Sequence, residues 1–244
     1  MHYALISDIH ANLAAFRAVL DDIERRGGVE KVWCLGDIVG YGPDPHQCIE
    51  LLRRTNHIAI AGNHDLAAIG KIDTTEFNPD AAAACHWTAQ QLSSADVGYL
   101  QNLPLIRQEG DFTLAHGSPR EPTREYLTST GAAKENFAFF KTQFCLVGHS
   151  HTPLAFSYDE DGACSYRRFQ TNIGLELGRN RWIINPGGVG QPRDGDPQAS
   201  YAIYDSETRL VRLCRVTYDV RATQDRMVER GLPSRLVSRL SYGM

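Results

Sequence analysis

The sequence predicts an α/β protein, a four-layer αββα sandwich in which two mixed β-sheets pack face to face with helices outside. Three observations lead there. From residue 2 to residue 63, short apolar runs alternate with amphipathic helical patterns in the order β-α-β-α-β, which argues for a right-handed crossover sheet covered by helices. After His151 the style changes to strand-like segments joined by turn-rich loops. No internal repeat, low-complexity tract or Pro/Ser linker interrupts the chain, so residues 1–244 read as one domain.

Taken in order, HYALISD (2–8) is a short buried strand, followed by a helical pattern through Leu13, Phe16, Leu20 and Ile23 that stops at Gly27-Gly28. KVWCLGD (31–37) is a second strand, and DPHQCIELLRR (44–54) is a helix that opens with proline near its first turn. HIAIAGN (57–63) is a third strand. Asn78 to Leu103 reads as mostly helical, alanine-rich and carrying Trp87 and Leu92. DFTLAHG (111–117) and QFCLVGH (143–149) are two more strands, separated by a helix around Ala132 to Lys141. LAFSYD, CSYRRFQ, RWIINPG, ASYAIYD and RLVRLCRVTYD follow as strands, and ATQDRMVERG and SRLVSRLS close the chain as helices.

At 244 residues the chain is long enough to bury a substantial core. A net charge of -4 weighs against a surface built to coat a polyanion, so nucleic acid is not an expected partner. The six cysteines form no CxxC pair or regular framework, and Cys34 and Cys145 sit inside apolar runs, which fits a reducing cytoplasm. The start MHYALISDIH lacks the basic and long apolar regions of a signal peptide. No apolar segment approaches the ~20 residues of a membrane helix, so no membrane partner is expected.

The chemistry-bearing residues gather at strand ends. Five strands finish in metal-capable side chains: Asp8 and His10; Asp37; Asn63, His64 and Asp65; His116; and His149 with His151. In α/β sheets, sites collect outside the carboxyl ends of the strands. Taken singly, each has an ordinary reading. Asp8 is as good a helix cap as a ligand, Asp37 before a glycine-rich loop is usual turn chemistry, and His116 alone is a hydrogen-bonded interior residue. Independent histidines would have no reason to share one location. Glycines 36, 62, 117 and 148 beside them fit a crowded site where backbone approaches closely.

The ordered set D-x-H, G-D, G-N-H-D, H-G and G-H-x-H, spread over residues 8 to 151, resembles the calcineurin-like metallophosphoesterase superfamily. The later NPGGVGQPRDGDP (185–197) is similar to a loop of its small bacterial phosphodiesterase and phosphatase members. The resemblance implies that Asp8, His10 and His151 hold one divalent ion, that Asn63, His116 and His149 hold a second, and that Asp37 bridges the two. Carboxylate, imidazole and amide donors without a thiolate suit Mn, Fe, Zn or similar ions. It also implies a phosphodiesterase or phosphatase that works by direct attack of a metal-bridging hydroxide. His64 would protonate the leaving alkoxide or stabilise the transition state, with Asp65 orienting it.

The match departs from the family at GDIVGYG. Protein Ser/Thr phosphatases and symmetrical diadenosine tetraphosphatases carry arginine where this chain has Tyr41, and the protein phosphatases carry aspartate at the place of Gly40. Without that guanidinium a bidentate phosphate contact is lost, so a small molecule or nucleotide is the expected substrate ahead of a phosphoprotein. Replacement contacts are expected from Asn12, Tyr41, Arg120 or Arg193, or from the amides of NPGGVG. Helix capping, loop packing and exposed charge are the ordinary alternatives for these. A non-catalytic scaffold of the same fold is the competing class; the complete ligand set and the retained His64 favour an enzyme.

Overall fold

The computed structural model describes residues 1–171 and 173–244. Strand β1 (His2–Ile6) leads into helix α1 (Leu13–Arg25), β2 (Lys31–Cys34), α2 (Pro45–Arg53) and β3 (His57–Ala59), the expected β-α-β-α-β unit. Both strand pairings in this unit are parallel. Asn12 ends the turn after β1 by accepting from the Ala15 amide, which starts α1. The sheet is completed by β11 (Ala199–Asp205), β12 (Leu210–Val216) and β9 (Leu175–Glu176), in the order β3-β2-β1-β11-β12-β9.

The second sheet contains β4 (Ile106–Glu109), β5 (Phe112–Ala115), β6 (Phe144–Leu146), β10 (Arg181–Pro186), β7 (Pro153–Tyr158) and β8 (Cys164–Arg167), in that spatial order. It is mixed, since β5, β6 and β10 run parallel while β7 runs antiparallel to β10.

Strand alternation builds the four layers. Leu5, Trp33, Ile58, Phe112, Phe144, Trp182 and Leu213 point between the sheets and form one shared core. Their neighbours Ala4, Ile6, Val32, Cys34 and Ala59 point outward to Phe16, Val19, Ile49 and Leu52 of α1 and α2. On the opposite outer face, Cys145, Phe156 and Ile183 pack against Ala133 and Phe137 of helix α6 (Thr130–Asn136) and its end. Each large apolar side chain buried this way contributes about 1.5–3 kcal/mol.

Several boundaries differ from the sequence reading. The helix expected over 78–103 is two, α4 (Pro79–Gln91) and α5 (Ser94–Gln101). Ser93 and Asp96 form a reciprocal cap, each accepting from the other's amide, and this restarts the helix. Asn63 does not prolong β3; it opens a short helix, α3 (Asn63–Ala68). Strand β4 was not foreseen because IRQE is largely exposed and carries no apolar alternation. The last helices, α7 (Val220–Glu229) and α8 (Ser234–Arg239), lie across the loop that carries Tyr41. There Met227, Leu236 and Leu240 pack with Tyr41, Ala81 and Ala84. Among the described residues no helix is long and apolar enough to cross a membrane.

Candidate metal centre

The turns after β1, β2, β5 and β6 and the start of α3 converge at one end of the sandwich. Asp8, His10, Asp37, Asn63, His116, His149 and His151 meet there, and none is more than 7% exposed. Asp8, His10, Asp37, His149 and His151 all have φ between 48° and 64°. For non-glycine residues this conformation costs roughly 1–3 kcal/mol each and persists only where the surroundings enforce it. The sharp left-handed turns let consecutive ligand-type residues aim at one point.

Five of the seven donors are oriented by a hydrogen bond at the far atom. Asp8 accepts the His149 amide at Oδ2 (3.2 Å), leaving Oδ1 free, and Asp37 accepts the His64 amide at Oδ1 (2.8 Å), leaving Oδ2 free. The Nδ1 atoms of His10, His116 and His151 lie 3.2, 2.8 and 2.6 Å from the carbonyls of Val39, Leu35 and Gln191. Donation to these carbonyls fixes the tautomer and turns each Nε2 lone pair inward.

The inward atoms form two groups that share Asp37: Asp8, His10, Asp37 and His151 in one, Asp37, His116 and His149 in the other. His10 Nε2 is 3.1 Å from His151 Nε2 and 3.5 Å from Asp37 Oδ2. His116 Nε2 is 3.2 Å from Asp37 Oδ2 and 3.1 Å from Asn63 Oδ1, which places Asn63 in the second group. Asp8 Oδ1, Asp37 Oδ2 and His149 Nε2 are buried without a hydrogen-bond partner. Buried orphan atoms cost about 1–3 kcal/mol each, more when charged, and a divalent cation is the partner that satisfies this donor set. The residues fit a metal ion.

The electrostatics agree. Burial pushes the Asp8 carboxyl up to about 7. Burial also works upward on Asp37, but the His116, His64 and His10 imidazoles outweigh it and hold that carboxyl well below the usual range. Burial draws His149 down to about 3, keeping its ring neutral and available as a donor.

Two glycines are required here by close approach. A Cβ on Gly62 would lie 2.0 Å from Asp37 Oδ1 and 2.3 Å from its amide nitrogen, and one on Gly40 would lie 2.7 Å from His64 Nδ1. Gly62→Ala is therefore expected to displace Asp37 and lose metal while most of the fold persists, which metal analysis beside circular dichroism would check. Metal content equal to that of the parent chain would show that Asp37 is not held by this contact.

His64 is buried against His10, Tyr41 and Phe77, with ring centroids 4.9, 4.3 and 4.9 Å away. Its Nδ1 has no hydrogen-bond partner among the described residues. The orientation expected of Asp65 needs correction. Its carboxylate accepts the Val39 and Gly62 amides, both at 3.0 Å, and so ties the β2 loop to the start of α3 without touching the His64 ring.

The four substrate candidates separate. Asn12 is consumed structurally: Oδ1 accepts from Ala15 and Thr223, and Nδ2 donates to the Gly190 carbonyl. Arg120 is held by Glu125 and Glu135 and steadies the loop beside Tyr126. Within NPGGVG the amides of Gly187, Val189 and Gly190 are used as well, donating to Asn185 Oδ1 and to the Ser7 and Asp8 carbonyls. At these three places most of the hydrogen-bonding capacity is already engaged within the protein. Arg193 and Tyr41 do reach the centre. The guanidinium lies over the Tyr41 ring, 5.7 Å from its centroid, with Nη2 3.4 Å from the hydroxyl, and Tyr41 in turn packs on His10. Arg193 Nε is buried with no partner.

Tyr126 escaped the sequence reading. Its ring is half exposed and stacks on His149 at 3.9 Å and 28°, which places it at the mouth of the site. Nothing in the surrounding loop sequence marks it. It follows Glu125, which is paired with Arg120, and its place beside His149 is visible only in the folded chain.

Comparisons with known proteins follow the same lines. The profile of the calcineurin-like phosphoesterase superfamily domain matches residues 1–209. A metallophosphoesterase from Sphaerobacter thermophilus superposes with a TM-score of 0.90 and 45% sequence identity, covering 100% of this chain and 99% of its own. An uncharacterised protein of Methanocaldococcus jannaschii is 38% identical, over 98% of this chain and 97% of its own length. A symmetrical bis(5'-nucleosyl)-tetraphosphatase of Aromatoleum aromaticum is 28% identical over 131 residues, spanning 49% of this chain and 46% of that relative.

Proposed function

Because the chain belongs to the calcineurin-like phosphoesterase superfamily and is a hydrolase of phosphoesters, we propose that residues 1–244 act as one domain holding two divalent ions, with a small phosphorylated molecule of the nucleotide class as substrate. One observation carries the two-ion reading: Asp37 belongs to both donor groups, and its free Oδ2 lies between His10 and His116. Asp8, His10 and His151 hold one ion, Asn63, His116 and His149 the other, and Asp37 bridges. The bound ions supply an acidified water and positive charge opposite the phosphoryl oxygens, which removes the need for a side-chain nucleophile.

The protein's own groups do the rest. Arg193, resting on Tyr41, binds a non-bridging phosphoryl oxygen and so takes over the task of the arginine that this chain lacks at position 41. His64 delivers a proton to the departing oxygen. Asp65 keeps the β2 loop and α3 in register so that His64 and Asp37 stay in place. Tyr126 borders the entrance on the His149 side. A non-catalytic scaffold would have no use for a full set of buried cation donors with three of their inward atoms unpartnered, and that observation favours the enzyme. The name of the Aromatoleum relative supports the nucleotide class, over the half of that relative which aligns.

The reaction is tested by hydrolysis of a chiral phosphorothioate ester after reconstitution with Mn. Direct attack by water inverts configuration at phosphorus, whereas net retention would mean a double displacement through a side chain. Parallel rates on a phosphomonoester and a phosphodiester decide which ester class is preferred. Arg193→Ala is expected to lower kcat/KM by about ten- to a hundredfold, the loss of one charge-assisted hydrogen bond, with metal content unchanged. Arg193→Lys should recover only part, because an ammonium lacks the guanidinium fork. Unchanged kcat/KM in Arg193→Ala would remove the residue from the substrate contacts.

A further inference from the structure

Arg193 is carried by the loop 187–198, which joins β10 to β11, so the place of its guanidinium depends on what holds that loop. On one side the loop is fastened to the centre itself: the Arg193 amide donates to the His151 carbonyl (3.3 Å), and Nη2 donates to Gln191 Oε1 (2.9 Å). The next residue, Asp194, pairs with Arg215 of β12. Two residues beyond Arg193, the Gly195 amide donates to the Gly243 carbonyl (2.9 Å). Gly243 belongs to neither sheet; it lies in the segment 240–244 that follows α8.

That segment is itself anchored. The Ser241 and Tyr242 amides donate to the Ser238 and Arg239 carbonyls (3.2 and 3.1 Å), Arg239 Nε donates to the Met244 carbonyl, and Gln224 of α7 donates to Ser241 Oγ (2.8 Å). Leu236 and Leu240 pack in one cluster with Tyr41, the ring under the Arg193 guanidinium. Helix α8 and the segment after it therefore reach both supports of Arg193, the tyrosine and the loop. The approach at Gly243 is close. A Cβ there would lie 2.5 Å from the Asp196 carbonyl carbon and oxygen and 2.6 Å from its nitrogen, and φ is 63°. All three are backbone atoms, so no side chain can swing aside to relieve the contact.

We propose that Gly243 is a positioning residue of the active site: its lack of a side chain lets segment 240–244 dock on the 195–196 backbone and so holds Arg193 where it meets a phosphoryl oxygen. The proposal rests on Arg193 as a substrate contact. A larger residue at 243 pushes segment and loop apart, and relief by either partner separates the Gly243 carbonyl from the Gly195 amide. Misplacement of a substrate-positioning group by about 1 Å can cost up to ~10²-fold in rate.

The test is steady-state hydrolysis by the Mn-loaded protein of p-nitrophenyl phosphate or bis(p-nitrophenyl) phosphate, whichever turns over faster. The parent chain is compared with Gly243→Ala, Arg193→Ala, Arg193→Ala/Gly243→Ala and Gly231→Ala. Gly231, in the turn between α7 and α8, also has a positive φ (68°), but a Cβ there meets nothing within 4 Å, so its variant carries the strain without the clash. Gly243→Ala is expected to keep its metal and lower kcat/KM about five- to tenfold, but to cost less than about twofold in the Arg193→Ala background. Gly231→Ala should match the parent chain. A general loss of stability would act on both backgrounds alike, so the non-additivity is the mark of positioning. A chain ending at Tyr242 removes the hydrogen bond without a clash and should show the same pattern, whether or not Gly243→Ala folds well. Equal fold losses in the two backgrounds, or a matching loss in Gly231→Ala, would overturn the proposal. Parental kcat/KM in Gly243→Ala beside an impaired Arg193→Ala overturns the positioning role alone. Normal turnover in Arg193→Ala removes the substrate contact, and the positioning role falls with it.

Discussion

Asp37→Asn should lose bound metal and phosphoester turnover together, and the fall in turnover should exceed the ~10–100-fold that removal of an outer partner of a metal ligand costs. The substitution is nearly isosteric, so the fold has little reason to change. What changes is charge and donor count at the one residue common to both donor groups. The amide oxygen can still accept the His64 amide, as Asp37 Oδ1 does at 2.8 Å. The opposite atom is then an NH2 group directed at His10 and His116, where Asp37 Oδ2 now lies 3.5 and 3.2 Å away. An NH2 group cannot coordinate a cation and adds no negative charge to offset repulsion between two ions. Elemental analysis after dialysis, beside the hydrolysis rate, reads both effects. A full complement of metal with normal turnover in Asp37→Asn would exclude the shared position.

His64→Ala is expected to keep its metal and to lose about 10²–10⁴ in rate on an ester with an alkyl alcohol leaving group. The backbone, not the ring, joins His64 to the centre, because its amide holds Asp37 Oδ1, and alanine preserves that contact. The ring itself is surrounded by His10, Tyr41 and Phe77, and its Nδ1 is free of protein partners among the described residues. Gly40 packs directly beneath it, so the aspartate that protein phosphatases carry at that position has no counterpart here. Among the described residues no carboxylate is hydrogen-bonded to His64 Nδ1. With p-nitrophenolate, which departs as an anion, the loss should be distinctly smaller. Equal losses on the two esters would assign His64 to phosphate binding or water positioning and end its role as proton donor.

These two variants also separate the two levels at which the site is built. Asp37→Asn acts on the donors, while His64→Ala acts on a group that the donors merely hold in place. Arg193 and Tyr126 form a third level, at the mouth. Tyr126 comes from the loop after β5 of the second sheet and Arg193 from the loop that joins β10 of the second sheet to β11 of the first, whereas Asp8, His10 and Asp37 follow strands of the first. The centre therefore depends on the two sheets being packed in register. The inter-sheet core of Leu5, Trp33, Phe144 and Trp182 is part of the functional apparatus in that sense.

The sequence by itself determined the sandwich and the donor set. The apolar runs in HYALI, KVWC and FCL mark buried strands, and the pleat then sends alternate side chains to opposite faces, a local rule that survives folding. The ligand-type residues were legible because they are short blocks pinned to strand ends, whose position in an α/β sheet follows from topology. Only the tertiary structure decided the fates of Asn12, Asp65, Arg120, Arg193 and Tyr126. Each has hydrogen-bonding or stacking capacity that several partners could satisfy. Asn12 is claimed by Gly190 and Thr223, residues far along the chain, and Arg120 by Glu125 and Glu135. Arg193 keeps an Nε without a partner among the described residues beside Tyr41, while its neighbour Asp194 pairs with Arg215. A polar side chain's role is set by which competitor reaches it first in space, and spacing along the chain carries no record of that competition.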